Sequence, residues 1–491
     1  MGVQPSQTTQ QGAITTRERA LAGMTLRLLL NWPKWIHRRT ETVALTDPET
    51  IRRRVAVDFT LFADLPPLIT DGAGEPIYFV PIALLKKVPL TNFDLRDERD
   101  GALPLLTRQR DGSLATAMLV VLAEASASKG LQASYGRQVP AELAVLLRRI
   151  ATSDEASALS LCDSFASSSV TTAAARSWCQ ELSGDEQFMS FANALAANFV
   201  VVVPLIGLPG VRRIVKYSYE ERFDEPAPQP PAWLRKVGRA VVGAARGRRV
   251  RPRPPNVRGL TIRQWLARGL GWRAKSVVIE TPSVAQAGSY HLEIEAPDGL
   301  DLTHGDIKPH RGGRVLAGSE DSVDRTVQRL HLYVSGLPAG TDGAALANLR
   351  ASPATIIRSA WLTAAFTIAL LGMVALRWHG VVTNLAALPS LLLVVPTGLA
   401  AYVARPREPS VTTSVLFGLR LLAVSSGLWS FLAAAVLVIG RTCSTDGGQL
   451  QSCSSWSATP VLLWGFFALS ALTFLALSVT YARTARPPEQ E

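Results

Sequence analysis

Residues 359–376 read SAWLTAAFTIALLGMVAL, an apolar stretch without a charged side chain. Three further apolar segments follow it, at Val381–Val403, Ser414–Ile439 and Pro460–Tyr481. A helix of about 20 apolar residues is long enough to cross the hydrocarbon core of a bilayer, and a helix satisfies its own backbone hydrogen bonds there. The pattern therefore predicts a four-helix transmembrane bundle over residues 351–491.

The basic residues near these segments are unevenly distributed. Arginines precede the first segment, lie between the second and third, and follow the fourth, at Arg350, Arg358, Arg405, Arg407, Arg483 and Arg486. The other two loops contain one arginine each. Because cytoplasmic loops are the ones enriched in Lys and Arg, the sequence predicts a multi-pass protein of the cell membrane with cytoplasmic N- and C-termini.

The four cysteines fall on both sides of the predicted membrane. Cys443 and Cys453 lie in a predicted outer loop, where an oxidising environment favours a disulfide; two free thiols are the alternative. Their spacing, with no histidine nearby, is not a zinc pattern. Cys162 and Cys179 lie in the predicted cytoplasmic region and are expected to remain thiols.

The region before the bundle has strand signals at both ends and helical signals between them. Apolar and polar residues alternate over Arg54–Phe62, which is typical of a strand with one buried face. The Ala-, Leu- and Ser-rich stretch from Asp111 to Ala197 indicates three to five helices, and Asn198–Ile206 is typical of a buried strand. The predicted fold class is an α+β soluble region, with antiparallel β sheets or a sandwich and a helical insertion, followed by the four-helix transmembrane bundle.

The changes in composition along the chain predict five parts. They are a loosely docked N-terminal extension (1–41), an α+β cytoplasmic domain (42–224), a Pro-rich and basic linker (225–258), a β-rich membrane-proximal domain (259–350) and the transmembrane domain (351–491). Two arrangements of the strands are open at this point. The two β-rich regions either form separate sheets or share one sheet, in which case the helices are an insertion.

The linker contains an unusually basic segment in a chain whose formal net charge is +12. As a helix it would place an apolar stripe beside basic side chains, which favours docking on anionic lipid headgroups of the inner leaflet. The predicted membrane-surface residues are Trp233, Arg235, Lys236, Arg239, Arg246, Arg248 and Arg249. A solvated linker is the main alternative, and nucleic acid is disfavoured because no binding motif or interleaved aromatic platform accompanies the charge.

Motifs for known catalytic chemistry are absent from the sequence. There is no phosphate-binding loop, nucleophile elbow, zinc-protease helix or paired C-x-x-C, so no catalytic residue and no cofactor are predicted. One His- and Asp-containing cluster is a candidate divalent-metal site, because imidazole and carboxylate groups are suitable ligands. It comprises Asp301, His304, Asp306 and His310, with His291 and His331 nearby; a polar surface loop is the alternative.

Several segments of the C-terminal half resemble those of a group of uncharacterised actinobacterial membrane proteins. They are SYHLEIEAPDGL (Ser289–Leu300), RLHLYVS (Arg329–Ser335), RSAWLTAAF at the start of the first apolar segment and RPREPSVTT before the third. The resemblance spans roughly residues 276–491. It implies a soluble region joined to a membrane bundle and brings no functional residues, since those relatives have no assigned activity.

Ionisable residues are nearly missing from the predicted spans, which bears on function. None contains Asp, Glu, Lys or His, and Arg420 is the one charged side chain within them. Because ion-coupled transport uses intramembrane ionisable groups, the bundle is predicted to act as an anchor for a cytoplasmic binding, sensing or scaffolding region with a protein partner. An enzyme, including a metal-dependent one, and an oligomeric channel or membrane-perturbing effector are the alternatives; the oligomeric state is not indicated.

Overall fold

A computed structural model describes most of the chain as three β sheets, a helical layer and an apolar helix bundle. The described residues are 14–45, 50–67, 69–168, 170–222, 275–311, 314–315, 322–325, 328–338, 341–352, 357–376, 398, 410–442 and 459–484.

Residues 14–41 belong to the folded core, so the prediction of a loosely docked extension was wrong for this part, while residues 1–13 lie outside the described residues. Helix α1 (Thr16–Leu30) begins with a capping box in which Thr15 and Glu18 satisfy each other's backbone amides. It is followed by the short helix α2 (Trp32–Trp35) and strand β1 (Ile36–Ala44). Leu28 and Trp35 are buried because one face of this segment packs against the rest of the soluble region.

The largest sheet has seven strands and is built from both predicted β-rich regions. Besides β1, it contains β2 (Thr50–Thr60), β5 (Thr91–Arg96), β7 (Arg212–Arg222), β9 (Ser289–Glu295), β12 (Ser322–Arg325) and β13 (Arg329–Ser335). The order of the strands in the sheet is β12-β13-β9-β1-β2-β7-β5. The two β-rich regions therefore share one sheet rather than forming separate domains. Its pairing is antiparallel except between β1 and β9, which run parallel.

A three-stranded sheet and the helices cover half of this large sheet. The small sheet contains β3 (Ile69–Thr70), β4 (Pro76–Lys86) and β6 (Asn198–Ile206), and β6 confirms the strand predicted at those residues. The helices between β5 and β6 confirm a helical insertion but exceed the predicted number. They are α3 (Arg108–Ser126), α4 (Lys129–Tyr135), α5 (Ala141–Thr152), α6 (Glu155–Asp163), α7 (Ala173–Ser183) and α8 (Glu186–Ala197).

A four-stranded sheet covers the other half of the large sheet and forms a sandwich with it. It contains β8 (Lys275–Thr281), β10 (Leu300–Arg311), β11 (Arg314–Val315) and β14 (Asp342–Ala351). Gly305 of β10 lies so close to the large sheet that a Cβ atom there would be 2.1 Å from Leu330 Cδ2. Close packing of the two inner faces therefore requires glycine at this position.

Three described helices at the C-terminus are long and apolar enough to cross a membrane, namely α9 (Arg358–Leu376), α10 (Ser410–Thr442) and α11 (Thr459–Thr484). They confirm apolar helices of sufficient length at three of the four predicted spans. The remaining one, Val381–Val403, lies outside the described residues except for Gly398. Helices α3 and α4 would also qualify as one broken span bent by 108°, but α3 packs against α1, α5, α8 and β6 in the soluble core.

The bundle has two distinct apolar ends. At one end, the starts of α9 and α10 and the end of α11 join the apolar core of the sandwich, through Ile357, Ala360, Leu416, Leu419 and Leu477. At the other, the ends of α9 and α10 meet the start of α11, through Leu371, Val374, Leu437 and Leu463. Helices α9 and α10 therefore point the same way, away from the sandwich, and α11 returns toward it.

Candidate functional site

The predicted metal-binding residues lie on a strand, so the prediction of a polar surface loop was wrong. His304, Asp306 and His310 follow one another along the outer face of β10, opposite β14. Asp301 is half-buried near the start of the same strand. Within the described ranges, no three His, Cys, Asp or Glu side chains are close enough together to hold a metal ion. The structure thus gives no support to a site built from these four residues.

Two of the predicted histidines do come together, on the opposite side of the sandwich. His291 of β9 and His331 of β13 face each other with 3.3 Å between His291 Nδ1 and His331 Nε2. Both are half-buried, and the ring of Tyr333 lies 4.8 Å from that of His291, centroid to centroid. The alternation of β9 and β13 fixes which face these residues occupy, but only the register between the strands makes them neighbours.

Two other sets of predicted residues lie outside the part of the chain that the structure describes. These are the disulfide pair Cys443 and Cys453 and the membrane-surface residues from Trp233 to Arg249. Both remain predictions. Cys162 and Cys179 are buried free thiols, as expected. Burial raises the pKa of Cys162 to about 11, so this thiol is a poor nucleophile at neutral pH.

A network of charged and tyrosine side chains lies inside the soluble region, where the large sheet is covered by the two smaller ones. Glu41 is 2% exposed and forms an ion pair with Arg53, which is 5% exposed. Tyr290 donates to Glu41 Oε2 at 2.9 Å. Arg39 donates to the Tyr217 hydroxyl and to the carbonyl of Ile82, 3.2 Å away on β4. The network therefore joins strands of two sheets.

The electrostatics of this network favour its charged form. Burial opposes the charge of Glu41, but Arg53 and Arg39 outweigh that effect and hold the pKa of Glu41 below its usual value. Glu221 supplies a second carboxylate 2.6 Å from Arg53 Nε, nearer the surface. Glu41 is paired with Arg53, whereas Arg39 is held by Tyr217 and Ile82, and its buried Nε has no hydrogen-bond partner among the described residues. Because the charges lie inside the protein and are bound mostly by one another and by neighbouring strands, the arrangement is typical of a structural network.

A cleft of about 370 Å³ lies where the helices meet the three-stranded sheet. It is lined by Arg108, Gln109, Gly112, Ala151, Thr152 and Phe199. Helices α3 and α5 approach closely at Gly112, where a Cβ atom would lie 2.8 Å from Thr152 Cγ2 and would displace that side chain. Two cations flank the Phe199 ring, with Arg108 Cζ at 5.7 Å and Lys87 Nζ at 5.8 Å from its centroid. The cleft thus combines an aromatic surface with positive charge.

Behind this cleft lies a buried carboxyl group with an abnormal pKa. Asp111, in the first turn of α3, is 8% exposed, and its Oδ1 has no hydrogen-bond partner among the described residues. Burial raises the pKa of Asp111 to about 7, although Lys87 and the backbone N–H of Val200 oppose that effect. Lys87 donates to the carbonyls of Ile150 and Ala151 at the end of α5, and burial lowers its pKa. Asp111 is not among the residues that line the cleft.

The sequence did not single out Lys87, Asp111, Arg39 or Glu41. Asp111 is the one acidic residue in the first turn of an apolar helix, a pattern that is also the ordinary favourable placement of a carboxylate at a helix start. Its burial therefore could not be inferred locally. Comparison with known proteins adds no assignment, since no family model and no curated protein matches the chain.

Proposed function

We propose that the chain is a membrane-anchored binding protein whose soluble region is held directly against its transmembrane bundle. The observation that supports this most strongly is the continuous apolar core between the two parts. Ala360 of α9 and Leu416 of α10 belong to the same buried cluster as Leu349 and Ala351 of β14. Arg350 also donates to the carbonyl of Arg483 near the end of α11. A core shared in this way positions the soluble region more firmly than a flexible linker would.

The direction of the helices supports a fourth span. Because α9 ends at the far end of the bundle and α10 begins beside the sandwich, the chain between residues 377 and 409 has to return over the length of the bundle. The predicted span Val381–Val403 lies in this connection and is long enough for the crossing. In the proposed topology, the soluble region and the C-terminus lie on the same side, which the arginine distribution assigns to the cytoplasm.

Reporter fusions test this topology. A reporter inserted after Arg407 is expected to give a cytoplasmic signal, and one after Gly447 an external signal, because these positions fall in loops on opposite sides of the membrane. Fusion after Glu491 provides the matched control and should agree with Arg407. The same signal from the Arg407 and Gly447 insertions would contradict the four-span arrangement, and the reverse pair of signals would contradict the cytoplasmic assignment.

Outward-facing apolar residues of the bundle allow a direct test of membrane insertion. Leu472 lies at the middle of α11 and is 62% exposed, a position that would face lipid. We expect Leu472→Arg to disfavour insertion by about 2.5 to 3.5 kcal/mol, the usual penalty for arginine at the centre of a span. The measurement is the side of the membrane that the reporter after Glu491 indicates, because this reporter moves to the external side when α11 fails to insert.

The matched control for this substitution is an equally exposed apolar residue of the soluble region. Val145 on α5 is 60% exposed, so Val145→Arg should leave the signal of the reporter after Glu491 unchanged. Equal tolerance of both arginines would contradict membrane insertion of α11. Equal loss of both would indicate general misfolding, which the elution profile in detergent would reveal.

An enzyme is the second candidate, favoured by the abnormal pKa of Asp111. A general acid or base must reach the proton that it transfers, however, and Asp111 is buried behind the cleft rather than lining it. The geometry therefore supports binding in the cleft better than catalysis. Turnover of a metabolite by the purified chain that Asp111→Asn abolishes, while Asp64→Asn at the exposed surface does not, would instead support the enzyme.

A further inference from the structure

The two histidines that meet on the large sheet occupy neighbouring strands of fixed register. In the antiparallel pairing of β9 with β13, His291 lies opposite Tyr333 and His331 lies opposite Glu293, so the histidines are diagonal neighbours. Strand β9 is hydrogen-bonded on its other side to β1, so it is an interior strand of the sheet. The inner faces of both strands are fully buried at Tyr290, Leu292, Leu330 and Leu332. The backbone that positions the two imidazoles is therefore held in place by the core.

We propose that His291 Nδ1 and His331 Nε2 bind one divalent transition-metal ion at the outer face of the sheet. Two imidazole nitrogens in tetrahedral coordination, each about 2.0 to 2.1 Å from the metal, lie about 3.3 to 3.4 Å apart. The observed separation of 3.3 Å matches this value, so the site needs little rearrangement. Water or a small exogenous donor completes the coordination, because no third His, Cys, Asp or Glu whose side chain the structure describes lies close enough to bind the same ion.

The surroundings of the pair suit a metal ligand. The Tyr333 ring packs against His291 and restricts its orientation. The strand register also places Asp324 of β12 opposite His331. Glu293 and Arg329 lie close by on this face and form an ion pair at 3.4 Å. The carboxylate is thus engaged with the arginine and adds negative charge near the site without acting as a ligand.

A hydrogen bond between the two imidazoles is the competing explanation of their approach. It requires an N–H on one ring, and hydrogen bonds donated by N–H groups are most often about 2.9 to 3.0 Å long. At 3.3 Å the pair is longer than that optimum but fits a bridging ion. The two explanations make different predictions for metal binding, because a simple hydrogen bond gives no affinity for a metal.

The test uses the full-length chain in detergent, purified without a polyhistidine tag and stripped with a chelator. Titration with Ni²⁺ alone, followed by calorimetry, is expected to show one binding event per chain, since imidazole is a good ligand for this ion. His291→Ala and His331→Ala should each weaken that event at least about tenfold, because each removes one of two ligands. A Co²⁺ absorption spectrum typical of tetrahedral coordination, lost in the same variants, is a second readout.

His310→Ala is the matched control, since His310 lies on the outer face of the other layer of the sandwich and should not affect binding. His291→Gln and His331→Gln repeat the test with larger polar replacements, and far-UV circular dichroism checks that each variant is folded. The proposal would be overturned if the wild-type chain bound no Ni²⁺ stoichiometrically, or if the event survived in both alanine variants. Neither outcome depends on the membrane topology or on a ligand in the cleft.

Discussion

Glu41→Gln is expected to lower the free energy of unfolding of the soluble region by about 3 to 5 kcal/mol, the usual cost of removing one partner of a buried ion pair. Arg53 and Arg39 are 5% and 3% exposed, and Glu41 is the buried carboxylate that lies between them. Without its charge, two guanidinium groups remain away from water with insufficient compensation. Glutamine keeps the volume of the side chain, so the loss reflects charge rather than a cavity.

Pulse proteolysis of the detergent-solubilised chain across a urea series would measure this effect, because it reports the fraction of unfolded soluble region. Glu280→Gln is the control. Glu280 of β8 also forms an ion pair, with Lys86 of β4, but both of these side chains are exposed to solvent. We expect no measurable change for this variant. If Glu41→Gln were as mild as Glu280→Gln, the buried network would not contribute to stability in the way that its geometry indicates.

Asp111→Asn is expected to stabilise the soluble region at pH 8 by roughly 2 to 4 kcal/mol, with no gain near pH 4. The pKa of Asp111 rises from 3.8 in its reference state to about 7 in the fold. Between these pH values the folded state binds more protons than the unfolded state, so the contribution of Asp111 to stability is complete below pH 4 and is lost as the pH rises to 7. Asparagine does not titrate and accepts the same hydrogen bond from the Val200 backbone.

The gain is limited by the neighbouring cation. In Asp111→Asn, Lys87 loses a favourable charge partner. This loss opposes the gain in the free energy of unfolding and makes it smaller than the pKa shift of Asp111 alone would give. The measurement is the urea midpoint of wild type and variant at several pH values between 4 and 8. Asp154→Asn is a control of opposite sign, because Asp154 caps α6 at the surface and the Ser157 backbone N–H lowers its pKa. A parallel pH profile for wild type and Asp111→Asn would show that Asp111 does not titrate in this range.

These two predictions concern different parts of one soluble region. The network around Glu41 stabilises the junction between the large sheet and the three-stranded sheet, whereas Asp111 and Lys87 lie on the far side of the three-stranded sheet, beside the cleft. The charge of Asp111 therefore costs stability near neutral pH at the place where a ligand would bind. Because a carboxyl group with a strongly shifted pKa lies beside the cleft, ligand screening should compare binding at pH 5 and pH 8.

Helices and strands whose pattern lies within one segment could be predicted from the sequence alone. Apolar length is enough to identify α9, α10 and α11, because a span is defined by how many consecutive residues can face lipid. The uninterrupted apolar run of β6 and the alternation in β2, β9 and β13 likewise record burial on one or both faces. The presence of helices between β5 and β6 was also evident from composition.

Strand β10 shows where local signals fail. Gly305, Pro309 and several charged residues suggested a loop, yet its backbone hydrogen bonds are made with β14, some forty residues later. Glycine is favoured at position 305 because Leu330 of the facing sheet approaches closely. The sequence of β10 alone does not indicate this contact. Most of β1 was assigned to a loose extension for a similar reason. Its backbone hydrogen bonds are made with β2 and with the distant β9, and a local pattern does not reveal these partners.

Contacts between side chains of distant segments could not be predicted from the sequence and are known only from the tertiary structure. A local pattern specifies which face of a strand or helix is apolar, but it does not specify which other segment covers that face or in what register. The approach of His291 to His331, the burial of Glu41 between two arginines and the desolvation of Asp111 all depend on pairings between distant segments. The long apolar helices could thus be predicted from residue composition, whereas each candidate site exists only because separate parts of the chain pack together.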